Sequence, residues 1–478
     1  MGVDDDPGLP IISGPASNGE YDPKPFSDVV SEAARRALEA TDDIVRRRRV
    51  DRRRFLLGAS GAAVVLLALD ACSRDSRQSN DGGRYRLPDD AATDDDVARD
   101  VLGGDELIVD VQGHLLDYEL NPDASDFGRV FPQAQCGEAD PRDCFSIGRF
   151  LEAMFLRSDT NIAVLSAIPI VGAANPLTIE VMEETRRIAA AVGCDDRIRI
   201  QGQAVPNSGR LRAALDEMSE VAAAHHIVAW KAYTHAGGPG WTLDDSAGAK
   251  VGEAFIRRAV EIGVPTIAVH KGFSGGSRFA SPSDIGPAAA RHRDVRFLVY
   301  HSGYESGTTE GPFTVATAGD GVNRLLASMT ASGIGPNENV YAEIGSTWFN
   351  VMRDPNEAAH VIGKLLKHVG DDNVLWGTDS IWYGSPQAQI QAFRALEIGA
   401  DLQEQHGYPA LTAERKAKIL GLNAARLHGI DTATARDCSF TRDQIEDLRV
   451  ALPGDNRPMG PTTAAAVRAH IAAHGGLI

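Results

Sequence analysis

The stretch LIVDVQGHLLD, residues 107–117, decides the fold. Leu107, Ile108, Val109 and Val111 form an apolar run with Gln112 at its end and His114 two positions on. Side chains alternate along a strand, so Gln112 and His114 share a face. Seven more short apolar runs follow: NIAVLS (161–166), IRIQGQ (198–203), IVAWKA (227–232), PTIAVH (265–270), RFLVYH (296–301), VYAEIG (340–345) and NVLWGT (373–378). They are rich in Val, Ile and aromatic residues and are bounded by Gly, Pro or Asp, the signature of strands. Most are apolar on both faces, as parallel strands covered on both sides are. Helix-period segments lie between them, at 180–192, 211–224, 253–262, 322–332, 357–369 and 387–398. Eight such units predict an α/β protein with a (β/α)8 TIM barrel over 106–430. A doubly wound open sheet is the competitor, but no glycine-rich phosphate turn follows the first strand.

The barrel occupies part of a chain of 478 residues. An N-terminal arm, 1–51, carries a helix over 27–49. RRRFLLGASGAAVVLLALDAC (52–72) has a basic start, an apolar middle and a small-residue end, the three parts of an export signal. As a helix the apolar middle, 55–69, spans roughly 22 Å, short of a ~30 Å hydrocarbon core. Arg52-Arg53-Arg54-Phe55-Leu56 resembles a twin-arginine signal, and Leu69-Asp70-Ala71-Cys72 resembles a lipobox. Those resemblances imply twin-arginine export machinery as a partner, lipidation at Cys72, a signal or lipid anchor in the membrane, and an exported location in a bacterial cell envelope. An uncleaved anchor and a mis-assigned start codon are the alternatives. Residues 73–105 form an acidic linker that reads as a solvated tether. After a helix over 413–427, residues 431–478 form a C-terminal helical extension containing TRDQIEDLRVAL.

Lys and Arg number 48 against 66 Asp and Glu, a net charge of −18, which argues against a nucleic-acid partner. The five cysteines, at 72, 136, 144, 194 and 438, form no CxxC, which argues against a zinc ribbon. In an exported chain, Cys136 and Cys144 are candidates to close the loop CGEADPRDC as a disulfide.

Active sites of barrels lie at the carboxyl ends of the strands. There this sequence places Gln112 and His114, Lys231, His270, His301 and Asp379, with Glu343 on the seventh strand. Imidazoles and carboxylates are the usual ligands of divalent ions. Loops 233–241, 271–284 and 302–313 are glycine-rich and carry Trp241, Phe273, Arg278 and Tyr304. With Trp348, Trp382 and Tyr383 these are candidates to wall a planar substrate.

With VLWGTDS (374–380) and LNAARLHGI (422–430), the spread resembles the metal-dependent amidohydrolase superfamily, in the branch of aminocarboxymuconate semialdehyde decarboxylase and related hydrolases and decarboxylases. The resemblance implies metal ligands His114, His270 and Asp379, with Gln112 where the branch has the first histidine of H-x-H. It implies one divalent ion, zinc by default, with Mn²⁺ or Mg²⁺ favoured by the amide at 112. It also implies His301 as the group that activates or orients water and substrate, with Asp379 as ligand, general base or both. Their positions, rather than the resemblance, make Tyr304 and Trp382 candidate contacts to a small aromatic substrate, and Lys231 and Arg278 candidate partners for its carboxylate. The reaction is hydrolysis of a C–N or C–O bond, or decarboxylation. Two-metal members carry a carbamylated lysine on strand four, so Lys231 is either plain or modified. Family members associate through barrel helices, which makes a homodimer the expectation. The rival reading is a metal-free exported barrel that binds a ligand or partner.

Overall fold

The computed structural model describes residues 8–13, 16–79, 81–124, 134, 136, 138–192, 196–248, 250–437, 451–452 and 458–474. Cys194, Cys438 and most of TRDQIEDLRVAL lie outside them.

Eight strands run parallel in chain order: β2 (Val109–Gly113), β3 (Ile162–Leu165), β4 (Ile198–Gln203), β5 (Ile227–Tyr233), β6 (Thr266–His270), β7 (Arg296–Tyr300), β8 (Val340–Glu343) and β9 (Val374–Leu375). Each of the eight apolar runs is one of them. The sheet closes on itself: Val111 N donates to Trp376 O at 3.1 Å, Asp379 N to Gln112 O at 3.0 Å and His114 N to Ser380 O at 2.6 Å. The barrel expectation holds. Every residue of β2, β3 and β6 is buried, because helices cover the outside and side chains fill the inside. Across the interior, the Tyr300 hydroxyl accepts from Gln201 Nε2 at 2.6 Å and donates to Val111 O at 2.6 Å.

Local chemistry sets the helix limits. The helix Pro355–His368 opens with Pro at its start and the Asp354 side chain accepting from Asn356 N and Glu357 N, and it ends on Lys367 and His368. The segment expected to be helical over 387–398 is helical only over Gln387–Ala395. Leu396–Ile398 (β10) instead pairs antiparallel with Gly83–Tyr85 (β1). Tertiary pairing outweighs helical period there, and Gly83 is required: a Cβ would sit 1.9 Å from Pro355 O.

The described residues of the first hundred are packed structure. Helix α1 (Asp28–Arg48), capped by the Ser27 side chain, lies against α3 (Ala59–Arg77). The run beginning at Arg52 breaks at Gly58 into α2 (Arg52–Leu57) and α3. Val64, Val65, Leu66 and Leu69 of α3 are buried, and each contributes roughly 1.5–3 kcal/mol relative to exposure. No described helix is long and apolar enough to cross a membrane. The acidic stretch is more than a tether: β1 and α4 (Asp95–Leu102) lie within it, with Ala98 and Leu102 buried and the Asp95 carboxylate accepting from Ser60 N at the start of α3. Cys136 and Cys144 form a disulfide, with Cα atoms 5.6 Å apart.

Candidate active site

The polar residues at the strand ends meet in one cleft at the mouth of the barrel. Its walls include Gln112, His114, His270, His301, Asp379, Trp382 and Tyr233, together with Asn18 and Glu20 from the N-terminal arm. The cleft encloses about 350 Å³ up to its open mouth.

The backbone is held in an unusual form around this point. His301, Ser302, Ser346 and Asp379 all have φ between 52° and 63°, the left-handed region that residues other than glycine seldom adopt. These turns aim side chains from successive strand ends at a common centre. Gly345 stands between them, where a Cβ would come within 2.4 Å of Glu343 Oε1 and 2.6 Å of Gln112 Oε1.

Hydrogen bonds fix the ring states of two histidines. His270 Nε2 lies 3.0 Å from Gly272 O. His301 Nδ1 lies 2.7 Å from Gly345 O. A carbonyl only accepts, so both nitrogens carry protons and His270 Nδ1 and His301 Nε2 present lone pairs. His301 Nε2 is buried without a hydrogen-bond partner. Burial lowers the His301 pKa to about 4, against the opposing pull of Asp379, and holds His270 well below the usual imidazole range. Both rings are therefore neutral at pH 7 and able to act as ligands or proton acceptors.

Asp379 is the anionic hub. Its Oδ1 lies 3.1 Å from His114 Nε2 and accepts from Gln112 Nε2 at 2.9 Å. Its Oδ2 accepts from Ser346 Oγ at 2.6 Å and Asn18 Nδ2 at 2.9 Å. Burial alone would raise its pKa. The hydrogen bonds from His114 and Ser346 and the nearby imidazoles outweigh that and hold the carboxyl well below its ordinary range. The neighbouring Glu343 is different: burial pushes it up to about 8, although it accepts from His301 N at 3.0 Å and from Gly345 N.

These donors suit a divalent cation: neutral imidazoles with fixed tautomers, a carboxylate held ionised, and a buried Gln112 Oε1 that has no hydrogen-bond partner. Among the described residues, the group of His, Asp, Glu or Cys whose ligand atoms all lie within 4.8 Å of one another is Glu20, His270 and His301; of the expected ligands His114, His270 and Asp379 it contains His270.

Several candidate contacts lie elsewhere. Lys231 is fully buried below the cleft, its Nζ 3.7 Å from the Tyr300 ring centre and without a hydrogen-bond partner, and it does not line the cleft. Arg278 is exposed on its loop with its guanidinium 4.7 Å from the Phe279 ring. Tyr304 packs on Phe273, ring centres 5.4 Å apart, away from the cleft. Trp241 ties its loop to β5 through an Nε1 bond to Tyr233 O, and Trp348 ties the short helix Thr347–Val351 to the helix Gln387–Ala395 through Gln389 O. Of the aromatic candidates, Trp382 lines the cleft, its ring centre 6.0 Å from that of His114. Glu20 and Asn18 carry no signal in the sequence. His235, whose ring centre is 4.7 Å from that of His270, stands inside a loop already singled out as glycine-rich.

The amidohydrolase family model matches residues 109–430, two thirds of the chain, and the chain belongs to that family. It is an enzyme of the metal-dependent hydrolase and decarboxylase kind that its strand-end residues resemble. No curated protein matches the sequence. Among solved structures it is similar to 2,6-dihydroxybenzoate decarboxylase from Rhizobium, at 14% identity over 68% of this chain and 99% of that one, with a TM-score of 0.39. It is also similar to 5-carboxyvanillate decarboxylase from Novosphingobium aromaticivorans, at 14% identity over 69% and 97%, with a TM-score of 0.37. A third is 4-oxalomesaconate hydratase from Rhodopseudomonas palustris, at 13% identity over 69% and 97%, with a TM-score of 0.39.

Proposed function

We propose that the cleft holds one divalent ion on His114, His270 and Asp379, with Gln112 alongside, and that the protein hydrolyses or decarboxylates a small carboxylated or aromatic substrate. The observation that carries this reading is the pair of pinned imidazoles, His270 and His301, each donating its N–H to a backbone carbonyl. A bound divalent ion supplies Lewis acidity toward water or a substrate oxygen. His301, neutral and with Nε2 free, accepts a proton in the cleft and returns it. Asp379, held ionised, provides the fixed negative charge. Trp382 walls the substrate. Lys231 acts from beneath through its charge. Zinc is the ion we favour, with manganese next because the Gln112 amide is a weak partner for zinc. The test is elemental analysis of natively expressed protein beside a turnover screen of aryl carboxylic acids, lactones and amides. About one zinc or manganese per chain with turnover is the expected result. Protein that carries no ion, and gains neither activity nor thermal stability from added ions, belongs to the rival ligand-binding reading.

We also propose that the chain is exported with its N-terminal arm retained. The twin-arginine-like start supports export, as does the Cys136–Cys144 disulfide, since disulfides persist in oxidising compartments. The packing of α3 supports retention: Cys72 is 4% exposed, so lipidation there requires the helix to leave the fold. Intact mass of protein from the envelope fraction of the native host decides it. A full-length oxidised chain is expected, and a chain beginning at a lipid-bearing Cys72 rejects retention. A homodimer through the barrel helices belongs to the same reading and is checked by light scattering.

A further inference from the structure

Glu20 reaches the cleft from far upstream of the first barrel strand. Its Oε1 lies 3.8 Å from His270 Nδ1, the nitrogen left bare by the Gly272 bond. Together with the bare Nε2 of His301 it completes a carboxylate–imidazole group whose ligand atoms all lie within 4.8 Å of one another. The arm is built to hold it there. Asn18 Nδ2 donates to Glu20 Oε2 at 2.7 Å and to Asp379 Oδ2 at 2.9 Å, and Asn18 Oδ1 accepts from Glu20 N at 3.0 Å. On the far side, Tyr21 stacks on Phe273 with ring centres 4.4 Å apart and shares a hydrogen bond with the Tyr383 hydroxyl at 2.8 Å. Ser17 N donates to Pro461 O at 2.9 Å, so the two ends of the chain close over the barrel mouth together. Gln112 meanwhile spends its amide nitrogen on Asp379 and offers only a neutral oxygen.

We propose that Glu20 is a ligand of the divalent ion, an anionic donor supplied by the N-terminal arm in place of the imidazole that position 112 lacks. The proposal rests on the metal reading given above. Two imidazoles and a carboxylate are an ordinary donor set for zinc or manganese, whereas a neutral amide adds little. A dication bound there displaces any proton from Glu20, so that Glu20 and Asp379 together supply two negative charges to balance it. The arm is then part of the metal centre rather than an appendage of the barrel. The competing role for the same geometry is an internal stand-in for a substrate carboxylate, which would have to leave before turnover.

The test uses the full-length chain, stripped with a chelator and titrated with Mn²⁺, free ion being followed by its electron paramagnetic resonance signal. Parent, Glu20→Gln and His270→Ala are compared, with thermal midpoints taken without metal to confirm folding. Glu20→Gln is expected to bind Mn²⁺ about 10- to 100-fold more weakly than parent, at an unchanged metal-free midpoint. Glu20→Asp, which keeps the charge but draws it back, is expected to fall between them and serves if the amide variant does not fold. Gln112→His added to Glu20→Gln is expected to recover much of the loss. Binding by Glu20→Gln within twofold of parent overturns the proposal. If that unchanged binding comes with a lower KM for carboxylated substrates, the stand-in role replaces it. Should His270→Ala abolish binding while Glu20→Gln does not, only the role of Glu20 fails. If the parent chain itself binds no ion, the metal reading fails and this proposal with it.

Discussion

An Asp379→Asn chain is expected to fold as the parent does and to lose about three orders of magnitude in kcat/KM, together with its ion. The substitution is chosen to leave shape alone. Asparagine matches aspartate in size and is among the residues that best tolerate the left-handed backbone found here, φ 59°. What changes is chemistry at one carboxylate oxygen. The side chain now receives hydrogen bonds from Gln112 Nε2, Ser346 Oγ and Asn18 Nδ2, with His114 Nε2 at 3.1 Å. An amide presents N–H groups in place of one acceptor, and Gln112 or Asn18 is left facing a donor. The charge that keeps the dication in place is also gone, and burial disfavours any replacement from solvent. The measurement is turnover on whichever aryl acid, lactone or amide the parent accepts, beside metal content and the thermal midpoint. Activity within tenfold of parent at normal metal content would remove Asp379 from the proposed machinery.

The barrel was readable because parallel strands buried on both faces must be apolar throughout, and each of the eight runs shows it. Even β9, with two residues in regular strand geometry, was legible from NVLWGT, since the chain beyond it still bonds to β2. The limits of the site were less so. His114, His270, His301 and Asp379 stand out by following apolar runs, which is a local signal. Glu20 and Asn18 lie in a short polar stretch without period, and only the fold of the arm over the mouth gives them a role. Lys231 was visible as a charge at the end of an apolar strand, but strand position alone does not say how deep it lies. The same limit applied to Leu396–Ile398, whose helical period was genuine and whose strand pairing came from residues three hundred positions away.

The depth of Lys231 leads to the second large effect: a Lys231→Met chain should be more stable than parent at neutral pH and catalytically impaired. The ammonium is fully buried and has no hydrogen-bond partner, with aromatic faces of Tyr300 and Tyr233 at 3.7 and 4.8 Å. Burial lowers its pKa from 10.5 to about 7, although Asp379, Glu20 and Glu343 pull the other way. The sign follows from proton counting. Between about pH 7 and 10.5 the unfolded lysine holds a proton that the folded one has released, so stability contributed by this group rises with pH across that window. Near pH 7 the deficit is about 4 kcal/mol, and at pH 9.5 it is about 1 kcal/mol. Methionine fills a similar volume, carries no charge and has no such deficit. Urea unfolding of both chains at the two pH values measures the term, because groups that do not feel the Lys231 charge cancel in the difference. The advantage of Lys231→Met is expected to shrink by about 3 kcal/mol on going from pH 7 to 9.5. An advantage that does not change with pH would mean Lys231 does not titrate as a free amine. The carbamylated form then takes its place, recognisable by its added mass in a proteolytic fragment. Loss of turnover alongside gained stability is what a buried charge kept for its field, rather than for the fold, requires.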